Sequence, residues 1–210
     1  AIAAVLPDPD VVAGHSLGEL SAAAAMGALD PVEAVHLAAL RGAVMQAASE
    51  VRRGGLCAIA PARKEEALAL AGAEAFVALD NAPDELVLGA PEAAIATICR
   101  RVGGRRLDVA GPFHGPAMLP AAAELREAAS SLRWCSLRRP LLSGVDVELL
   151  HTAADARDRL SRAVASPVRF REVLQRLERE GARTFVVVGP GATVRSLLRR
   201  NLPASIAVLT

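Results

Sequence analysis

A serine set between glycines, four histidines and an arginine on a mostly apolar helix are the groups in this chain that could do chemistry. Gly14-His15-Ser16-Leu17-Gly18 follows the apolar run Val11-Val12-Ala13 and precedes an alanine-rich stretch without proline. A Gly-x-Ser-x-Gly segment at a strand-to-helix turn is a nucleophile elbow, in which small residues permit a tight bend and leave the serine oxygen exposed. The helix beyond it aims unpaired N–H groups and a positive dipole end at any oxyanion formed on a substrate. Ser16 is therefore the candidate nucleophile.

A serine nucleophile needs a base. His36 falls in mid-helix and His151 in a polar loop, where a solvated or hydrogen-bonded structural imidazole is the ordinary role. His15 belongs to the elbow and is expected to face the strand side, away from Ser16. His114 lies in Gly111-Pro112-Phe113-His114-Gly115-Pro116, a stiff loop between a strand and a helix, where functional side chains are displayed. No acidic residue stands in a convincing hydrolase order with Ser16 and a late histidine.

The elements that must position these groups alternate along the chain. Asp30-Pro31-Val32-Glu33 opens a helix expected to run through Arg41 to about Ala48, with Asp at the N-cap and Glu closing a capping box. Strands at Leu56–Ala60, Ala75–Leu79, Glu85–Leu88 and Arg105–Val109 interleave with helices at Arg63–Ala71 and Pro91–Val102. Asn81-Ala82-Pro83-Asp84 reads as a turn. This β-α-β-β-α-β order is that of a ferredoxin-like unit. After Gly111-Pro112 come a helix at Ala117–Ser131, a strand at Pro140–Ser143 and a polar helix at Ala153–Val164. A further helix ends at Gly181, and Thr184–Val188 reads as a buried strand turned by Gly189-Pro190-Gly191 into a last helix. The fold class expected is α/β: a parallel-sheet core (1–48 and 113–210) carrying the elbow, with a ferredoxin-like insert at 49–112 that covers the serine.

Composition bounds the partners. A formal net charge of +1 in 210 residues excludes a general nucleic-acid binder. No apolar run reaches the roughly 18–20 residues that span a bilayer, and Ala1–Leu6 lacks a basic leader. Cys57, Cys99 and Cys135 are odd in number and widely spaced, so a disulfide or zinc site is not expected. The three read as small buried apolar residues in a cytoplasmic protein, and no metal is expected. Arginine pairs at 100–101, 105–106, 138–139 and 199–200 read first as solvated surface. Their functional alternative is attraction of anionic partners.

Taken together, the motifs resemble those of the malonyl-CoA:acyl-carrier-protein transacylases and the related acyltransferase domains of polyketide synthases. Gly14–Glu19 matches the family's Gly-His-Ser-x-Gly-Glu elbow, and Arg41-Gly42-Ala43-Val44-Met45-Gln46 its Arg-Gly-x-x-Met-Gln segment. Asn81-Ala82-Pro83 with Gly89, Gly111–His114, Pro167–Phe170 and Val188–Gly191 match the remaining motifs in order. The resemblance implies an α/β-hydrolase-like core with the ferredoxin-like insert. It implies Ser16 as nucleophile, His114 as base, and a backbone carbonyl rather than an acidic side chain orienting the imidazole. It also implies the Leu17 N–H in the oxyanion hole, and Arg41, His15, Met45, Asn81 and Phe113 around the substrate. Arg41 would pair with the malonyl carboxylate, a task a planar guanidinium suits. Phe113, with Leu17 in support, would favour malonyl over methylmalonyl.

The implied reaction moves malonyl from CoA to the phosphopantetheine thiol of an acyl carrier protein by ping-pong chemistry, with no cofactor beyond these carriers. Two departures accompany the match. The family's amino-terminal strand and Gly-Gln-Gly loop, which holds a second oxyanion donor, have no counterpart in this sequence. Ala163 stands four residues before Pro167, where relatives often carry Gln or Asn, and only its carbonyl can serve. A serine esterase or thioesterase, and a non-catalytic module that binds the carrier protein, are the alternative readings.

Overall fold

A computed structural model describes residues 8–190 and 192–209. The sequence motif ending at Gly191 thus has its last residue outside the described set, as does the Ala1–Leu6 start. The protein is a mixed α/β structure. Strand β1 (Val12–Ala13) leads through the elbow into α1 (Leu17–Ala25). Next comes α2 (Pro31–Val51), whose N-cap Asp30 accepts a hydrogen bond from the Val32 N–H at 2.8 Å. Pro31 takes the first helical position, where its missing N–H would have had no intrahelical acceptor anyway. The helix continues beyond Ala48 to Val51.

The buried stripe of α2 is Ala34, Leu37, Val44, Met45 and Ala48, and Arg41 falls on that stripe. Helix α5 (Leu119–Ser130) lays Ala121, Ala122, Leu125 and Ala129 into the same cluster, together with Leu20 of α1. Alanines at these contacts let the helices come close, so one charged side chain on the seam is held tightly.

The middle of the chain builds one antiparallel sheet. β2 (Gly54–Ile59), β3 (Phe76–Ala82), β4 (Glu85–Pro91) and β5 (Arg105–Arg106) lie in the order β3-β4-β2-β5. Helices α3 (Lys64–Ala71) and α4 (Glu92–Val102) join them, with Ile95, Ile98 and Val102 of α4 buried against Leu88 and Cys57. Gly103, at φ 66°, ends α4 in the left-handed conformation that costs glycine least. Two differences from the sequence reading have local causes. The β3–β4 turn is only Pro83-Asp84, because Asn81 and Ala82 still belong to β3. β5 stops early because the Val109 N–H bonds back to the Leu107 carbonyl at 3.0 Å, turning the chain off the sheet.

The cysteine expectation is corrected. Cys57 on β2 and Cys99 on α4 have their sulfurs in disulfide contact, with Cα atoms 6.1 Å apart, and Cys135 is exposed. Separation in sequence says nothing about a helix laid across a sheet, and that packing is what joins them.

In the rest of the chain β6 (Leu141–Leu142) pairs parallel to β1, and the unanticipated β7 (Leu149–Leu150) pairs antiparallel to β6. After α6 (Ala153–Arg162) and α7 (Phe170–Arg179), β8 (Thr184–Val186) pairs parallel to β9 (Ala207–Leu209), with α8 (Thr193–Asn201) between. The sequence reading of Thr184–Val188 as a buried strand is corrected. Phe185 and Val187 pack inward, but Val186 and Val188 are 44% and 54% exposed. An all-apolar run suggests burial on both faces, yet here only alternate residues meet the core. No helix among the described residues is long and apolar enough to cross a membrane.

Candidate active site

Ser16 sits on the bend between β1 and α1 with φ 54° and ψ −111°, a conformation side-chain-bearing residues rarely adopt. Gly14 makes this bend possible, since a Cβ there would run into the backbone of Gly18 and Glu19. Gly18 faces open space instead, so the turn does not require its lack of a side chain on steric grounds. The Leu17 N–H stands at the first position of α1, where the helix offers no acceptor, and the Leu17 side chain is 46% exposed.

His114 reaches Ser16 from a loop 98 residues away, its Nε2 lying 2.8 Å from the serine Oγ. Its backbone is held by an N–H bond to the Val164 carbonyl at 2.9 Å, and its φ of 62° is again left-handed. Its Nδ1 is 3.0 Å from the Ala163 carbonyl. A carbonyl can only accept, so Nδ1 carries the proton and Nε2 offers its lone pair to the Ser16 hydroxyl. Burial, followed by the nearby charges of Arg41 and His15, brings the imidazole pKa down to about 4, so the ring is a neutral base near pH 7.

Arg41 of α2 donates from Nη2 to Ser16 Oγ at 2.9 Å. The serine oxygen thus accepts from a guanidinium while donating to an imidazole. Burial lowers the Arg41 pKa, and the Glu19 carboxylate opposes that. Glu19, buried in the first turn of α1, accepts from the Gly144 N–H. Burial pushes its pKa up to about 7. Ser16, Arg41, Leu20, Leu125, Leu160 and Ala163 line a small cavity beside the serine.

His15 Nε2 lies 2.8 Å from Asn81 Oδ1 near the end of β3, and the Phe170 ring packs edge-on against the imidazole at 5.0 Å. Phe113 is half-buried between the cluster around α2 and the one beneath β3. Met45 is enclosed in the α2 cluster, and Gln46 is exposed and bonds to Glu50. His36 and His151 are exposed, away from these groups.

This Ser–His pair with an arginine on the same oxygen is accompanied by a match to the family model of the acyl transferase domain over residues 3–208. The chain belongs to the acyl transferase domain family. The malonyl CoA-acyl carrier protein transacylase of Bacillus subtilis is 33% identical over 204 residues, covering 91% of this chain and 64% of that protein. The solved malonyl CoA-acyl carrier protein transacylase of Coxiella burnetii superimposes with a TM-score of 0.90 at 29% identity, over 99% of this chain and 69% of that one. A type II PKS acyl-carrier protein in complex with its malonyl-transacylase is also similar, with a TM-score of 0.87, 26% identity, and coverage of 97% and 69%. The chain spans 64% and 65% of the length of the Bacillus subtilis and Haemophilus influenzae transacylases, slightly less than two thirds.

The strand-to-helix turn at Ser16 is legible in sequence, but what the Pro167–Phe170 segment does is not. Val168 forms a parallel bridge beside Leu79: its N–H bonds to the Ala78 carbonyl at 2.9 Å and its carbonyl accepts from the Asp80 N–H at 2.8 Å. The Arg169 N–H bonds to the Gly144 carbonyl at 2.8 Å. Two apolar residues around an arginine could have suggested an extended stretch, but its partner strand is not visible in sequence. The basic pairs are also partly committed: Arg106 to Glu92 at 2.6 Å, Arg139 to Asp8 at 2.5 Å and Arg200 to Asp84 at 2.6 Å.

Proposed function

We propose that this acyltransferase domain moves a malonyl group from CoA to the phosphopantetheine thiol of an acyl carrier protein, in fatty acid or polyketide biosynthesis, through an ester on Ser16. The observation that carries the reading is Arg41 and His114 meeting on one serine oxygen. His114 Nε2 takes the hydroxyl proton as Oγ attacks the thioester carbonyl, and the Leu17 N–H faces the oxyanion. Collapse expels CoA thiolate, which takes the proton from His114. In the second half His114 deprotonates the carrier thiol, the sulfur attacks the ester, and Ser16 Oγ leaves with the proton. No resident cofactor or metal is used in these steps.

Substrate choice follows from the same groups. A malonyl carboxylate gives the desolvated Arg41 guanidinium a partner, whereas an acetyl group leaves it with Ser16 alone. Phe113 occupies the space a 2-methyl group would take, a steric effect worth about 1–3 kcal/mol, so preference rather than exclusion is expected. The fold reading that supports this is an α/β-hydrolase-like core, with residues 49–112 as a ferredoxin-like lobe closing over the serine. A cytoplasmic setting is part of the same proposal, and the Cys57–Cys99 contact gives it no support.

Intact-mass measurement after mixing with malonyl-CoA tests the reading. A malonyl adduct should form, vanish in Ser16→Ala, and pass to a holo carrier protein. In competition, malonyl-CoA should load ahead of methylmalonyl-CoA and acetyl-CoA, and Arg41→Ala should abolish the preference for a carboxylate. No Ser16-dependent adduct, or hydrolysis outrunning transfer with carrier present, would overturn it.

A further inference from the structure

The hydrogen-bond chain that starts at His15 does not end at Asn81. Asn81 Nδ2 donates to Glu85 Oε1 at 2.9 Å, and Glu85 Oε2 accepts from Arg200 Nη1 at 3.0 Å. Asn201, the next residue of α8, donates to the Asn81 carbonyl at 2.8 Å. Asn81 is buried, and the Glu85 and Arg200 side chains are 23% and 29% exposed. The elbow, the β3–β4 hairpin and α8 are thus joined by one relay.

The relay has only one polarity. A guanidinium can only donate and a carboxylate can only accept. Glu85 bonded to Arg200 therefore requires the Asn81 NH2 to face it, and this turns the Asn81 oxygen toward His15. An oxygen facing the ring requires a proton on Nε2. We propose that Glu85 is a positioning residue of this acyltransferase: through the Asn81 amide it fixes the His15 proton on Nε2 and tethers the elbow to the small lobe. Burial also holds the His15 pKa below its ordinary value, so the ring is neutral and the question of tautomer is real. The tether matters because His15 directly precedes Ser16, whose φ of 54° must be held by its surroundings.

The isosteric variant Glu85→Gln separates this from a merely structural role. Glutamine has one acceptor oxygen, which Arg200 claims, so its NH2 meets the Asn81 NH2. The Asn81 amide must then rotate and present its NH2 to His15, whose Nε2 becomes an acceptor. Long-range 1H–15N correlation on the full chain should show His15 as the Nε2–H tautomer in the wild type and as Nδ1–H in Glu85→Gln. Adding Arg200→Met frees the glutamine oxygen for Asn81 and should restore Nε2–H.

The kinetic part rests on malonyl transfer at Ser16, and the tautomer part does not. With malonyl-CoA, Glu85→Gln should lower kcat roughly tenfold with little change in KM, because Arg41 is untouched, and the double variant should recover. A wild type with His15 as Nδ1–H overturns the proposal without any variant having to fold. Nε2–H retained in Glu85→Gln overturns it too, as does a shifted tautomer with unchanged kcat. A wild type that never acylates Ser16 sinks the functional reading instead, and leaves the relay to be decided by the spectrum.

Discussion

Ser16 and His114 are both non-glycine residues with left-handed backbone, at φ 54° and 62°. Such conformations cost about 1–3 kcal/mol each and persist only where packing enforces them. Here the enforcing contacts are the Val164 and Ala163 carbonyls for His114 and the Gly14 bend for Ser16. The price of burying the imidazole is a pKa of about 4, caused first by desolvation. A base must be neutral to accept a proton, and the proposed base His114 stays neutral until the solution is strongly acid. On the proposed reaction, single-turnover acylation by malonyl-CoA should therefore be insensitive to His114 between roughly pH 5 and 8, with its acid limb near 4. An acid limb near the ordinary histidine value of 6.5 would contradict the burial seen here.

At the scale of elements, contacts between distant segments decide how the site is closed. Phe76 at the start of β3 lies against Gly115, the residue after His114, and a Cβ on Gly115 would collide with that ring. Gly115 is extended, at φ −156°, so its backbone would accept alanine. The cost of Gly115→Ala is then purely overpacking, about 1–3 kcal/mol. Urea unfolding should show that loss, and Phe76→Leu added to it should recover much of it. Recovery failing would place the strain in the His114 loop itself.

The same scale explains what was legible in the sequence. Asp30-Pro31 and Gly103 are read locally, because caps are satisfied by neighbours in sequence. Ser16, His114 and Arg41, which the structure brings together on one oxygen, stand out in sequence because their motifs are short and ordered, and Arg41 also interrupts an apolar helical stripe. The Cys57–Cys99 contact, the Val168 bridge and the Glu85–Arg200 link depend on which faces of remote elements meet. Periodicity reports that a face is apolar without naming its partner, which is also why Thr184–Val188 looked more buried than it is.

Over the whole molecule, two buried groups at the site pull stability in opposite directions with pH. His114 titrates near 4 when folded against 6.5 as its ordinary value, so between these pH values the unfolded chain binds the extra proton. Its contribution is intact above 6.5 and is lost as the solution is acidified toward 4. Glu19 titrates near 7 against an ordinary 4.5, so in that interval the folded chain binds the extra proton. Its contribution is intact below 4.5 and is lost as pH rises toward 7. From 4.5 to 6.5 the two slopes oppose each other, and wild-type stability should vary little on their account. Glu19→Gln keeps an acceptor for the Gly144 N–H but removes one of the two titrations. Surface ion pairs are common to both proteins and cancel in the difference. The variant should therefore gain stability relative to wild type as pH rises through that interval, by at most roughly 1.4 kcal/mol per pH unit. Urea midpoints at several pH values across it would show two diverging lines. Parallel lines would mean that Glu19 is as ionised in the folded protein as in the unfolded chain, and that burial does not raise its pKa.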